Sequence, residues 1–214
     1  MTYSPSISSD CILRSAIDSI SIPGQLIDYR SISAGDEFSL LPEELKAFEA
    51  SVTKVRRASG AARIVARQLL ARLGYAQTAL PKAPSGAPRW PSGVIGSLAH
   101  DSAIAVAAVA MRRNFRALGV DTEPTEALPA DLMDVVATPR ERTRIFGGPF
   151  YGRLLFSAKE AVYKAVYPLD ETFLDHHDVE VSFAEQKAYV RNGRTIDIRF
   201  SISSHIVVLA FSSV

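Results

Sequence analysis

The clearest hydrophobic period in the chain runs from Leu154 to Ala165, where Leu154, Leu155, Ala158, Val162 and Ala165 recur at the spacing of one helix face. It predicts a helix that begins near Pro149 and is closed by Pro168. A second apolar face, Val55, Ala58, Ala62, Val65, Leu69 and Leu73, predicts a helix over 50–73, ended by Gly74. Before it, LPEEL has the proline and the first-turn acids of a helix start. Elsewhere the period is that of strands. The longest apolar run, 103–111, suits a buried strand, and 93–110 reads as two strands around a turn that holds Ser97, His100 and Asp101. The run 115–120 leads into GVDTEP as a further strand. Alternation over 179–183, 188–191 and 196–200, with a last run over 206–211, predicts antiparallel strands and a hairpin at Asn192-Gly193. Residues 1–22 show no clear period, and 125–148 is mixed, with a turn at Gly147-Gly148.

Polar residues placed on that frame raise the chemical questions. FSAKEAVYKA sets Lys159, Glu160 and Lys164 on an otherwise apolar helix, where charge needs partners. Ser157-x-x-Glu160 has the form of a capping box, and Glu160 to Lys164 that of an ordinary helix pair. The apolar period already covers Leu154 and Leu155, which puts Ser157 inside the helix and weakens the capping reading. Arg56, Arg63 and Arg67 fall within roughly 40° of one another at about 100° per residue. Such a stripe is either a solvated face or an anion site. No acidic residue lies between Ser51 and Gln77 to neutralise it, which favours the anion site.

The proline-rich segment LPKAPSGAPRWP, 80–91, is a loop carrying Lys82, Arg89 and the only tryptophan, Trp90. It is either a linker or a pocket wall. In GVDTEP, Asp121 and Glu123 share a strand face while Thr122 points away. Two neighbouring carboxylates repel unless a cation lies between them, so this is a solvated strand end or a site for a hard ion such as magnesium or manganese. One cysteine and four scattered histidines give no zinc-type spacing.

Composition narrows the class. The 214 residues, 47% of them apolar, support one large unit or two small ones, and a net charge of +1 gives no reason to expect nucleic acid. Cys11 has no partner for an internal disulfide. No stretch reaches the roughly 18 apolar residues of a membrane span, and MTYSPSISSD lacks the features of a secretory signal. A cytoplasmic monomer is the expectation.

GSLAH, GVDTEP and FSAKEAVYKA, in that order and at these distances, resemble the 4′-phosphopantetheinyl transferases, most closely the enterobactin synthase component D-like subgroup. The resemblance covers about residues 40–183. It implies an α+β fold of two pseudo-twofold-related α/β halves, residues 1–112 and 113–214, with the active site in the cleft between them. A short echo between 96–110 and 200–211, each a Ser-rich turn before a small-apolar strand, agrees with that. The implied activity is transfer of the phosphopantetheine arm of coenzyme A to a serine of an apo carrier protein, with Mg²⁺, releasing adenosine 3′,5′-bisphosphate. Siderophore, nonribosomal peptide or polyketide pathways are the implied setting.

Carried onto this chain, the resemblance makes Asp121, Glu123 and Glu160 the Mg²⁺ ligands and Glu160 the general base. Lys159 and Lys164 would serve the pyrophosphate. His100, with Arg56, Arg63 and Ser97, would face the 3′-phosphate, and Pro88, Arg89 and Trp90 would border the adenine. The chain departs from the family pattern at Ala99, Asp101 and Ser85, and Asp101 sets a negative charge beside the expected phosphate site. A non-catalytic coenzyme A- or carrier-binding module is the competing reading.

Overall fold

A computed structural model of the chain describes residues 9–143 and 148–214. The predicted turn at Gly147-Gly148 therefore lies partly outside the described residues. Two antiparallel sheets carry the fold. The first has the order β1-β3-β2, from β1 (Gln25–Ser31), β2 (Val94–His100) and β3 (Ile104–Met111). The second runs β4-β8-β7-β6-β5, from β4 (Phe115–Pro124), β5 (Val179–Ser182), β6 (Lys187–Val190), β7 (Thr195–Ile202) and β8 (His205–Ser213). Three helices complete it: α1 (Ser9–Ile20), α2 (Thr53–Arg72) and α3 (Tyr151–Asp170).

Strand parity explains the long apolar runs. Val106, Ala108 and Ala110 of β3 join Leu118 and Val120 of β4 and Val207 and Leu209 of β8 in one core. Ala107 and Val109 turn the other way, under Val65, Leu69 and Leu70 of α2. A strand buried on both faces needs apolar residues at every position, so β3 shows no alternation. The opposite faces of β4 and β8 meet α3: Ala117, Ile206, Val208 and Ala210 pack with Leu154, Ala158, Ala161, Val162 and Ala165. Burial of these faces, at about 25 cal/mol per Å², is the main force holding the layers together.

One glycine sets the closest approach of α3. A Cβ on Gly119 would lie 2.0 Å from the carbonyl oxygen of Ala161, so only glycine lets β4 press against the helix backbone. Two residues on, Asp121 is thereby brought against α3.

Differences from the sequence reading are local. LPEEL forms a single helical turn, Pro42–Leu45, rather than a long helix. Pro168 lies inside α3, which runs two residues further to Asp170; a missing N–H costs little in a last turn already fraying. Ser97 sits mid-strand in β2 and is buried, not in the turn. Helix α1 does carry a helical period, with Leu13, Ile17 and Ile20 buried at i, i+4 and i+7, which was overlooked among the serines of 1–22; β1, with alternate residues buried, was not assigned. Both segments of the echo are antiparallel hairpins, β2-β3 and β7-β8.

Candidate active site

A cavity of 770 Å³ opens between the 80–91 loop, strand β2 and the second half of α3. Its walls include Ser85, Pro88, Trp90, Ser97, His100 and Lys164, so residues from both sheets' helices and loops face one space. The size suits an ordinary small-molecule ligand. Gly96 explains how the loop closes over it. A Cβ there would come within 2.7 Å of the Trp90 indole and 2.7 Å of the Ala108 carbonyl, so the glycine of GSLAH is the seat of the tryptophan. Trp90 is thus part of a pocket wall and the loop is no mere linker. A second cavity, 470 Å³, shares Tyr163 with the first and is lined by Glu160, Phe173, Leu174 and His176.

The carboxylates of GVDTEP lie on the α3 side of β4. Asp121 Oδ1 accepts from Lys164 Nζ at 2.6 Å, while its buried Oδ2 has no hydrogen bond of good geometry among the described residues, although the Ser157 hydroxyl acts on the carboxyl. Burial pushes the Asp121 carboxyl up; Lys164 opposes this and the Glu160 charge adds to it. Glu123 accepts from Arg153 at 3.0 Å and is also pushed up, first by burial and then by Asp121. Glu160 behaves oppositely: the ring of His176, 3.4 Å away, and next Lys164 hold it below the ordinary range despite its burial. Thr122 points away and donates to the Ile206 carbonyl, as the strand parity requires.

The fit to a divalent cation is mixed. Mutual repulsion, a buried oxygen without a hydrogen bond of good geometry and an all-oxygen donor set suit a hard ion. Yet each acid is held by its own base, and among the described residues no three acidic, histidine or cysteine side chains are gathered closely enough to hold a metal. The single ready-made grip expected from Asp121, Glu123 and Glu160 is therefore not present in this arrangement.

Two further expectations are corrected. Lys159 does not face a pyrophosphate: it is 2% exposed, and its ammonium donates to Glu141 Oε2 at 2.7 Å and to the carbonyls of Val136 and His176, both at 2.8 Å. Three donors are thereby committed. The arginine stripe is not a free anion site either. Arg67 pairs with Glu44 at 3.0 Å, and Arg63 spends Nε and one terminal nitrogen on the Leu80 carbonyl and the other on Ser59, 3.6 Å from Glu44. The neutralising acid comes from the turn before the helix, not from the helix. Arg63 still lines the large cavity, and Arg56 has no ion-pair partner among the described residues.

His100 closes β2 at the cavity. Surrounding protein and then the Lys164 ammonium hold its imidazole below the ordinary value, although part of the ring is exposed. Asp101 does not confront the cavity with its charge. One oxygen caps the Ala103 and Ile104 amides at 2.6 and 2.8 Å, and the other meets His205 Nε2 at 3.2 Å. The sequence reading missed Arg153, His176 and the aromatic trio Tyr163, Tyr167 and Phe173. Tyr163 and Tyr167 stand at i, i+4 on α3, a signal that was present but hidden among its apolar positions, and Phe173 follows the helix.

Residues 43–110 match the 4′-phosphopantetheinyl transferase N-terminal domain and residues 117–210 the 4′-phosphopantetheinyl transferase superfamily. The chain is 42% identical over 152 residues to the 4′-phosphopantetheinyl transferase Npt of Nocardia iowensis, covering 66% of this chain and 68% of that one. It belongs to the 4′-phosphopantetheinyl transferase superfamily. It is also 39% identical to Svp of Streptomyces mobaraensis, over 69% of this chain and 63% of the relative. Against PptT of Mycobacterium tuberculosis the identity is 36%, over 67% and 65%. Both of these relatives are also named 4′-phosphopantetheinyl transferases. A transferase enzyme is what these relationships support, and no helix among the described residues is long and apolar enough to cross a membrane.

Proposed function

We propose that the protein transfers the phosphopantetheine arm of coenzyme A to a serine hydroxyl of an apo carrier protein. The observation that carries this reading is the pair of cavities that share Tyr163 as a wall, with Lys164 on the first and Glu160 on the second. A long substrate with anionic and apolar ends needs such a bipartite space.

In this reading the large cavity takes the nucleotide. Trp90, with Pro88 and Arg89, borders the adenine; His100 faces the 3′-phosphate, with Ser97 beside it and Arg56 and Arg63 supplying positive field. Lys164 serves the pyrophosphate. The second cavity, walled by Tyr163, Phe173 and Leu174, takes the pantetheine arm at the reacting end.

The chemistry is an in-line displacement. The serine oxygen forms a bond to the phosphorus bearing pantetheine, the bond from that phosphorus to the bridging oxygen breaks, and adenosine 3′,5′-bisphosphate leaves. Glu160, held ionised by its neighbours, accepts the serine proton. Asp121, Glu123 and Glu160 would hold Mg²⁺, which when bound supplies charge neutralisation on the pyrophosphate. Lys164 already cancels part of the acid repulsion and orients Asp121. Service to a siderophore, nonribosomal peptide or polyketide pathway in the cytoplasm, by a monomer of two related halves, completes the proposal.

The decisive experiment incubates the protein with coenzyme A, Mg²⁺ and a panel of apo carrier proteins and weighs the intact carriers. A mass gain of one phosphopantetheine arm is expected. Stabilisation by coenzyme A with no carrier ever modified would replace the transferase reading with that of a binding module.

A further inference from the structure

Lys159 and Glu160 are consecutive on α3, and both reach the same residue. The Lys159 ammonium donates to the backbone carbonyl of His176 at 2.8 Å, and Glu160 Oε1 lies 3.4 Å from the Nε2 of its ring. Neighbours on a helix point about 100° apart, so the two reach His176 from different sides, one at its backbone and the other at its ring, and both line the second cavity. The short turn His176–Asp178 is held in other ways as well. Asp175 Oδ1 accepts from the His177 amide and Asp178 Oδ2 from the Asp175 amide. The ring of His176 stacks on Phe156, with centroids 5.5 Å apart and planes 21° from parallel.

The anchor beneath this turn is unusually complete. Glu141 is fully buried and accepts from Lys159, from the Thr138 amide at 2.8 Å and from the Val181 amide at 2.7 Å. It therefore ties α3 to the start of β5 and to the segment 138–142. A polar surface loop has no stability reason to be fixed by a buried ion pair, a cap and a ring stack together. What the arrangement does fix is the direction of one imidazole nitrogen. His176 Nε2 is buried and has no hydrogen-bond partner of good geometry among the described residues; Glu160 is the acid within ion-pair distance of it.

We propose that His176 is a positioning residue that orients the Glu160 carboxylate, and that Lys159 acts on the reaction through His176 and not through substrate. An Nε2–H pointed at Oε1 stops the carboxylate rotating about its last torsion. The second oxygen then keeps a constant direction for proton acceptance. This role needs a neutral donor in a fixed place and no change of charge on the ring. It rests on the assignment of Glu160 as the base, and it accounts for Lys159 being buried beside that base when its charge serves no ligand.

The test has a structural arm and a kinetic arm. Imidazole ¹⁵N and ¹H NMR of the intact protein should show an Nε2–H at His176 whose resonance moves upfield in Glu160→Gln. An unmoved resonance overturns the proposal, whether or not the protein transfers anything. In the carrier assay, His176→Phe keeps the stack on Phe156 but removes the donor, and should lower kcat about 10- to 100-fold with Tm and the KM for coenzyme A unchanged. His176→Gln restores a donor and should recover most of kcat. The single variant Lys159→Met leaves both Glu141 oxygens to the Thr138 and Val181 amides and should reproduce the His176→Phe loss. Unchanged kcat in His176→Phe, or a loss confined to KM, overturns the proposal. A wild-type protein with no transfer to any carrier would instead defeat the transferase reading, leaving the NMR arm to decide the contact.

Discussion

Helices α2 and α3 are both 20 residues long, and both carry several basic side chains on a mainly apolar cylinder. In α2 the cations are consumed by structure. Glu37 grips Arg57 through two hydrogen bonds of 2.9 Å, and Glu44 takes Arg67 and lies near Arg63. The Arg57 hydrogen bonds are the first cause that brings the Glu37 carboxyl down to about 2. In α3 the division runs residue by residue: Lys159 is consumed by Glu141, while Lys164 stands at the cavity beside Asp121. What separates the two helices is the thing each is pressed against. Gly60 brings α2 within 1.9 Å (Cβ-equivalent) of the Asp36 carbonyl, beside a loop rich in acids. Gly119 brings α3 against β4, whose acids sit at a strand end beside Lys164 and Arg153, and Lys164 lines a cavity. A cation next to an acidic loop becomes scaffold, and one at a cavity next to a strand-end acid stays available for chemistry.

The sharpest way to break that contrast is to remove one acid from each side. Glu160→Gln should lower kcat for carrier modification about 10²- to 10⁴-fold, the usual range for a lost general base, with little change in Tm. Glu44→Ala should do the reverse. Leaving Arg63 and Arg67 buried without their acid costs about 3–5 kcal/mol, roughly 10 °C or more in Tm, while the KM for coenzyme A of the folded protein stays the same. A KM that rises with Glu44→Ala at constant Tm would make Glu44 part of ligand binding and not scaffold.

A finer comparison sits within α2 itself. Arg56 has no ion-pair partner among the described residues, whereas Arg67 has Glu44 and the Ser39 carbonyl. Arg56→Ala should raise the KM for coenzyme A about tenfold, the loss of one charge-assisted hydrogen bond of about 1.5 kcal/mol, with Tm unmoved. Arg67→Ala should lower Tm and leave that KM alone. Steady-state kinetics and thermal melts on the same two preparations decide it.

The same contrast explains what could be read in advance. The positions of β2 to β8, both long helices and the shared face of Asp121 and Glu123 followed from period and parity, which are local properties, while β1 was unassigned and composition left the Trp90 loop open between linker and pocket wall. The fate of Arg63, Arg67 and Lys159 did not. Their partners are Glu44, 19 and 23 residues before the two arginines, and Glu141, 18 residues before the lysine. A search for acids within the helix could not meet them. Ser97 was set in a turn because the polar residues of SLAHDS look alike in sequence; the register Ser97↔Ala108 places it mid-ladder. His176 carried no local signal of its role, since its link to Glu160 crosses from loop to helix.

The smallest effect expected concerns His100, which stands where the two regions meet. In the free protein its burial and the Lys164 ammonium depress the imidazole below its ordinary 6.5. A depressed histidine is neutral when folded, so folding is favoured above the ordinary value and that contribution is lost as pH falls beneath it. A phosphate dianion set against the ring favours the charged form and moves the value back up. Binding of coenzyme A near neutral pH should therefore take up a fraction of a proton, and affinity should fall as pH rises through the value His100 has in the complex. Titration calorimetry in two buffers of different ionisation enthalpy measures the uptake directly. It should shrink in His100→Gln and with dephospho-coenzyme A, which lacks the 3′-phosphate. Equal uptake with both ligands would move the 3′-phosphate away from His100, and with it the nucleotide end of the cavity.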